Sequence, residues 1–364
     1  MNSIVRREIP ADRPPPRAVR KEAREILGRG GLLACATETV YGVAARADLP
    51  AALERLRELK GRDADKPLTW HVASKRVLAR FEHMPRLVAR LVDRYWPGPL
   101  TLVMPGVPEG LEGVARDGWL GLRMPAHPST IGVLDFAGFP VVMSSANPSG
   151  ARPFTAAAEV EEAFGDRIDL VLDSGPARIG ESSAVLAVGP GRFEVLREGL
   201  ISLADLRAAA GVRLGFVCTG NTCRSPMAAA IATLHLARRL GVPPGRVAEF
   251  GIEVRSAGVQ AGPGSSATRH AVDVLEERGF DLSGHRSAAA VPEALAALDH
   301  VYCMTHAHLQ ALRLMLPPKK AGVLELLDPA GRDVPDPIGG GREEYERCAA
   351  HIERCIEMRV GEWV

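Results

Sequence analysis

The chain is poor in the features that would commit it to a specialised habitat. Aromatic residues make up only 5% of its 364 positions. No run of about 18 or more apolar residues occurs, which excludes a membrane-spanning helix. Six cysteines over this length are too few for a disulfide scaffold. Excess charge is missing too: 45 Lys and Arg against 44 Asp and Glu leave a net +1. Bulk polycation binding to nucleic acid is thereby excluded, although a local basic pocket survives the averaging. The opening stretch from Met1 to Pro16 is polar and proline-rich and lacks the apolar core of a secretory signal. The expectation is a cytoplasmic protein whose thiols are reduced and free for chemistry, with no membrane partner.

What remains has the composition of ordinary globular protein, 46% hydrophobic and 24% charged. The length exceeds what one hydrophobic core usually serves, so two domains are expected. Before Gly199, helical patterns (Arg17 to Leu27, Ala51 to Lys60, Arg86 to Tyr95, Ala156 to Phe164) alternate with short strands. Those strands are Leu32 to Ala36, Leu100 to Met104, Phe139 to Ser144, Leu170 to Leu172, Ala184 to Val188 and Phe193 to Leu196. From Leu214 onward the order becomes strand–helix repetition, which predicts a parallel, doubly wound sheet. The boundary falls between Gly199 and Arg213, and α/β architecture is expected on both sides.

The second half carries the sharper chemistry, in Val217-Cys218-Thr219-Gly220-Asn221-Thr222-Cys223-Arg224-Ser225-Pro226. A strand delivers Cys218, five residues form a turn, and Ser225-Pro226 reads as a helix start, with Ser at the N-cap. Amides of such a turn converge on an anion, and the same field with Arg224 favours a thiolate. Arg224 suits bidentate capture of phosphoryl oxygens. Attack of sulfur on phosphorus through a phosphocysteine follows. Cys348 and Arg354 share the spacing, but Cys348 sits in an apolar helical stripe with Tyr345, Ile352, Cys355 and Ile356 and reads as core. A leaving group needs a proton. Of two Asp-Pro pairs, Asp336 is favoured because Pro337-Ile338-Gly339-Gly340-Gly341 follows it as a loop, whereas Asp328 reads as a turn residue.

Residues 214 to 364 thus resemble the low-molecular-weight protein phosphatase family. The resemblance implies Cys218 as nucleophile, Arg224 as phosphate ligand, Asp336 as general acid, Ser225 as a partner of the thiolate and Asn221 as shaper of the loop. It also makes Arg255-Ser256-Ala257-Gly258 and Gly284-His285-Arg286-Ser287 scaffold. Tyrosine-directed members carry a bulky aliphatic where Thr222 stands and an aromatic beside the Asp-Pro, where this chain has Ile338. A small hydroxyl facing the pocket suits a guanidinium, and the loop resembles the protein-arginine phosphatase branch. Phosphoarginine is expected ahead of phosphotyrosine, and both ahead of the family's arsenate reductases, which need a cysteine relay. Cys223 is open to a protective disulfide or to a packing role.

In the first half no Cys or His cluster signals catalysis, and Cys35 reads as core. The informative pieces are polar turns: Thr37-Glu38-Thr39-Val40-Tyr41-Gly42, Lys60-Gly61-Arg62 with Lys66, Arg123 to Pro128, Ser144 to Gly150, and Leu196 to Gly199. Taken in order, they resemble the threonylcarbamoyl-AMP synthase (YrdC-like) family over residues 17 to 201. That resemblance implies a twisted mixed sheet with a basic cavity. The activity it implies joins L-threonine, bicarbonate and ATP, releases pyrophosphate, and serves tRNA indirectly through a transferase partner. Lys60, Arg62, Lys66, Asn147 and Arg197 would surround ATP; Thr39, His71, Arg123, Ser145 and Ser183 would surround threonine. Mg2+ is expected to come with ATP, held mainly by phosphates, and neither domain is expected to hold a dedicated metal. The family's late Ser-Thr-Val-Val-Asp strand aligns with Ser183-Ala184-Val185-Leu186-Ala187, which loses a hydroxyl and a carboxylate. The alternative is therefore a nucleotide- or RNA-binding module without synthase activity, fused to a tyrosine phosphatase.

Overall fold

In the computed structural model the described residues are 4–61, 68–82, 84–148, 150–317 and 323–364. The chain divides into two compact units, Met1–Leu206 and Arg207–Val364.

The first unit is built on one ten-stranded mixed sheet. In chain order its strands are β1 (Val5–Glu8), β2 (Leu33–Ala36), β3 (Tyr41–Arg46), β4 (Thr69–His71), β5 (Leu100–Pro105), β6 (Trp119–Arg123), β7 (Val141–Ser145), β8 (Leu170–Asp173), β9 (Ala184–Gly189) and β10 (Arg192–Arg197). Their order across the sheet is β1-β8-β2-β3-β7-β4-β6-β5-β9-β10. Helix Arg17–Gly28 buries Ala23, Ile26 and Leu27 at helical spacing against Leu33, Cys35, Leu170 and Leu172. Burial of such side chains stabilises by roughly 1.5–3 kcal/mol each.

Three features of this unit were not foreseen. β1 lies ahead of the expected domain start at Arg17 and pairs in parallel with β8. It is an edge strand whose Arg6, Arg7 and Glu8 are exposed, so it shows no apolar alternation. Tyr41 and Gly42 are already in β3, antiparallel to β2, so the turn is only Thr37–Val40. Arg123 likewise ends β6 instead of opening a turn, and helix Pro128–Ala137 follows it.

The second unit holds an all-parallel sheet of β11 (Arg213–Cys218), β12 (Glu253–Gly258), β13 (His300–Cys303) and β14 (Leu324–Leu326), ordered β12-β11-β13-β14. Alternation along the strands explains its two buried faces. Val217, Val301 and Cys303 pack with Leu295, Leu309 and Leu312. On the opposite face Phe216 and Tyr302 stack with ring centroids 5.7 Å apart and meet Trp363 of the last helix, Arg342–Trp363. β11 is central and therefore delivers Cys218 at the carboxyl end of the sheet, where doubly wound folds place ligands.

Candidate active sites

The loop after β11 closes around the Cys218 sulfur. Cys218 is 3% exposed. Its Sγ accepts from the Asn221 backbone N–H at 3.3 Å and lies 3.0 Å from Ser225 Oγ. Asn221 takes a left-handed φ of 54°, which turns that amide inward. It is held there from four directions. Its Nδ2 donates to Ser225 Oγ and Ser256 Oγ, both at 2.9 Å, its Oδ1 accepts from Ala288 N–H at 2.8 Å, and its carbonyl lies 2.7 Å from His285 Nε2. A Cβ at Gly258 would come within 2.4 Å of the Thr219 carbonyl, so only glycine lets β12 approach the loop this closely. Ser256, Gly258 and His285 belong to the two segments expected to be scaffold, and Ala288 lies one residue beyond the second.

The expected helix start at Ser225 is displaced. The helix runs Arg224–Leu240 with Cys223 at its N-cap and no side-chain cap bond. The Ser225 hydroxyl is engaged with Cys218 Sγ and the Ala257 carbonyl and is unavailable for capping. Arg224 is buried; its Nη2 is hydrogen-bonded to the Asp336 carboxylate and its Nη1 donates to the Val334 carbonyl at 3.2 Å. The fold therefore forms two hydrogen-bonded sets, Cys218–Asn221–Ser225 and Arg224–Asp336, which meet at the peptide bond between Arg224 and Ser225. Thr219, Gly220 and Thr222 line the turn, and Thr219 Oγ1 lies 2.9 Å from His308 Nε2, a contact with no motif to announce it. Cys223 is buried with its sulfur 3.3 Å from Tyr345 Oη and 3.6 Å from Thr268 Oγ1. Burial pushes the Tyr345 phenol up to about 12.

All six cysteines are free thiols. Burial raises Cys303 and Cys348 to about 12 and Cys35 and Cys355 to about 11, which suits core residues. Asp328 is buried, its Oδ2 accepting from Arg332 Nε at 2.8 Å and 2.9 Å from His351 Nε2. Asp328, His351 and Cys355 bring three potential ligand atoms together, which the turn reading of Asp328 did not foresee.

In the first unit a cavity of about 600 Å3 opens over β3, β4, β6, β7 and β9, within the range of small-molecule sites. Arg116, Arg123, Arg192 and Arg197 line it, and Asp117 is the single carboxylate among its described lining residues. His71, Ser145 and Ser183 also face it. Arg123 is fixed from three sides. Its Nη2 donates to Glu38 Oε1 at 2.7 Å and to Thr39 Oγ1 at 2.8 Å, and its Nε to the Gly98 carbonyl at 3.3 Å. Glu38 Oε2 also accepts from the Ala126 amide at 2.8 Å. His71 is pushed down to about 3 by burial and by Arg123, so its ring is neutral at pH 7. Its Nδ1 lies 3.0 Å from the Thr69 carbonyl, which assigns the proton to Nδ1 and leaves Nε2 as an acceptor. Ser183 is held by Thr101 Oγ1 at 2.9 Å and by Arg197 Nη2 at 3.0 Å.

Lys60 and Asn147 meet each other and are not among the lining residues. Lys60, 3% exposed, binds the Ser145 and Asn147 carbonyls beneath the end of β7. Arg62 and Lys66 lie outside the described residues. Sequence reading missed Arg116, Asp117, Arg192 and Thr101. Only Thr101 had a nearby signal, the Trp96-Pro97-Gly98-Pro99 turn before it.

A family model described as telomere recombination matches residues 25–199, and one described as low molecular weight phosphotyrosine protein phosphatase matches residues 213–360. The chain is 38% identical over 199 residues to the threonylcarbamoyl-AMP synthase of Pyrococcus abyssi, covering 52% of this chain and 56% of that enzyme. It thus spans about half the length of that curated relative. A solved structure of a variant of Pyrococcus abyssi Sua5 matches with TM-score 0.51 and 30% identity, over 64% of this chain and 76% of that one. The protein-arginine-phosphatase of Geobacillus stearothermophilus is 38% identical over 148 residues, 40% of this chain and 91% of the relative. An arginine-lined α/β cavity and a cysteine–arginine loop thus occur in one polypeptide. The chain belongs to the Sua5/YrdC threonylcarbamoyl-AMP synthase family in its first half and to the low-molecular-weight phosphatase family in its second.

Proposed function

We propose that the chain is a bifunctional cytoplasmic enzyme. Its first unit makes threonylcarbamoyl-AMP from L-threonine, bicarbonate and ATP for tRNA threonylcarbamoyladenosine, which a partner transferase completes. Its second unit dephosphorylates phosphoarginine in proteins. The observation that carries the phosphatase reading is the inward Asn221 amide on Cys218 Sγ, with Ser225 beside the same sulfur and Arg224 joined to Asp336. The thiolate attacks phosphorus, and the P–N bond breaks as Asp336 gives its proton to the leaving nitrogen. Water activated by Asp336 then hydrolyses the phosphocysteine. Arg224 and the loop amides hold the equatorial oxygens. The small Thr222 and the 66%-exposed Ile338 support a guanidinium over a phenol, since neither side chain offers an aromatic ring for stacking.

In the first unit, Arg123 suits the threonine carboxylate and the neutral His71 its amine. Arg116, Arg192 and Arg197 offset the about four negative charges of ATP. The amine and bicarbonate form a carbamate with loss of water, a carbamate oxygen attacks the α-phosphorus, and the bond to pyrophosphate breaks as pyrophosphate leaves. Mg2+ travels as part of the nucleotide substrate, because one lining carboxylate, Asp117, is too few for a protein cage.

The test is a pair of assays on the full chain and on Cys218→Ser. Pyrophosphate release should require both threonine and bicarbonate and persist in the variant, while turnover of phosphoarginine disappears. RNA or nucleotide binding without pyrophosphate release would favour the binding-module alternative, and faster turnover of a phosphotyrosine peptide would favour the tyrosine alternative.

A further inference from the structure

Two histidines at the start of helix His306–Met315 have no part in the chemistry above, yet each grips a different half of the phosphatase site. His308 is 5% exposed, with Nε2 2.9 Å from Thr219 Oγ1 and Nδ1 2.9 Å from Thr305 Oγ1. Thr305 is the N-cap, and its Oγ1 already accepts the His308 backbone N–H at 3.3 Å. Its own proton is therefore available to Nδ1. That places the imidazole proton on Nε2, donating to Thr219. Burial and the nearby Arg224 hold the ring below its usual range, against Asp336 and Asp333, so it is neutral. Thr219 is the residue next to the nucleophile.

His306 faces the acid side. Its backbone N–H donates to Asp333 Oδ1 at 2.9 Å, and its Nδ1 lies 2.8 Å from the same oxygen. Asp333 stands three residues before Asp336. Between them the Val334 amide donates to the Met304 carbonyl at 2.8 Å, while the Val334 carbonyl accepts from Arg224. A single helical turn thus holds the first residue of the phosphate loop and the root of the acid loop.

We propose that His308 is a positioning residue of the phosphate loop and Asp333 a positioning residue of the acid loop, with the turn Met304–His308 fixing nucleophile and acid relative to each other. The proposal rests on the phosphatase reading of this unit. Its logic is that small errors in near-attack geometry cost on the order of 10²-fold in rate for about 1 Å.

The test uses the full chain with His308→Ala, His308→Gln and Asp333→Ala. Inorganic phosphate binding is measured by calorimetry, and turnover is measured on p-nitrophenyl phosphate (a good leaving group) and phenyl phosphate (a poor one). His308→Ala should weaken phosphate binding about tenfold and lower kcat/KM on both esters alike. Glutamine, whose amide N–H can still reach Thr219, should restore most of it. Asp333→Ala should bind phosphate within about twofold of the parent and lose turnover chiefly on phenyl phosphate. Equal phosphate affinity in His308→Ala and the parent, equal damage from alanine and glutamine, or the same profile at both positions would overturn the proposal. A parent that binds phosphate but turns over neither ester would instead sink the phosphatase reading, and the binding arm would still decide the role of His308.

Discussion

The guanidinium of Arg224 is hydrogen-bonded to the carboxylate of Asp336, so the two groups to which the phosphatase reading assigns phosphate binding and proton donation are partners of each other. The pair is asymmetric: the Arg224 side chain is 6% exposed and that of Asp336 is 39% exposed. On the phosphatase reading, a bound phosphoryl group would compete with Asp336 for the Arg224 guanidinium.

Replacing Asp336 with Asn should separate these two roles. Turnover should fall by about 10²–10⁴ on a substrate with a poor leaving group and far less on p-nitrophenyl phosphate. Phosphate should inhibit more tightly, because a neutral amide competes less well for Arg224. Equal losses on both substrates would clear Asp336 of the acid role.

Thr222→Ile should shift preference from phosphoarginine toward phosphotyrosine. The branched alkyl group removes a hydroxyl that suits a guanidinium and adds apolar surface beside a phenyl ring. Ratios of kcat/KM for phosphoarginine and a phosphotyrosine peptide read this directly. An unchanged ratio assigns specificity elsewhere.

Glu38→Gln should both destabilise the first unit and disorder its carboxylate anchor. Glu38 and Arg123 have side chains 3% and 7% exposed, and Glu38 also accepts the Ala126 amide. Removing one charge of a buried pair costs about 3–5 kcal/mol. The apparent Tm should fall by roughly 2–4 °C per kcal/mol in a unit of this size, and threonine-dependent pyrophosphate release should weaken with it. A Tm within about 1 °C of the parent would show that the pair does not hold the loop.

Acid should weaken the first unit in a way traceable to His71. Folded His71 is pushed down to about 3, and burial lowers His127 too, whereas an unfolded histidine titrates at about 6.5. Between those values the unfolded chain binds more protons, so this contribution is complete above about pH 6.5 and is lost as pH falls toward 3, by at most about 1.4 kcal/mol per pH unit for one group. Denaturant unfolding at neutral and mildly acidic pH should show a smaller acid loss in His71→Gln than in the parent. Identical losses would mean that His71 is not a buried neutral imidazole.

Much of this molecule is legible in the chain because it is local. Helix Arg17–Gly28 and strands β2, β5 and β11 follow from apolar spacing and Gly–Pro punctuation. The Cys218–Ser225 loop is contiguous, so its residues announce themselves together. β1 was hidden because an edge strand with exposed charged side chains carries no apolar rhythm. The start of helix Arg224–Leu240 was misplaced because Ser225 looks like a cap until its hydroxyl is found on the Cys218 sulfur.

By itself the amino-acid order determined the two α/β halves, the Cys218–Ser225 loop, and several of the polar turns near the cavity, since each is a property of neighbours in the chain. Only the tertiary structure decided that Arg224 holds Asp336, that Glu38 neutralises Arg123, that Lys60 is spent on the Ser145 and Asn147 carbonyls, and that His308 supports Thr219. Those partners lie 85 to 112 residues apart along the chain. Their meeting depends on which strands pair and on how each sheet is ordered, and no local propensity encodes that.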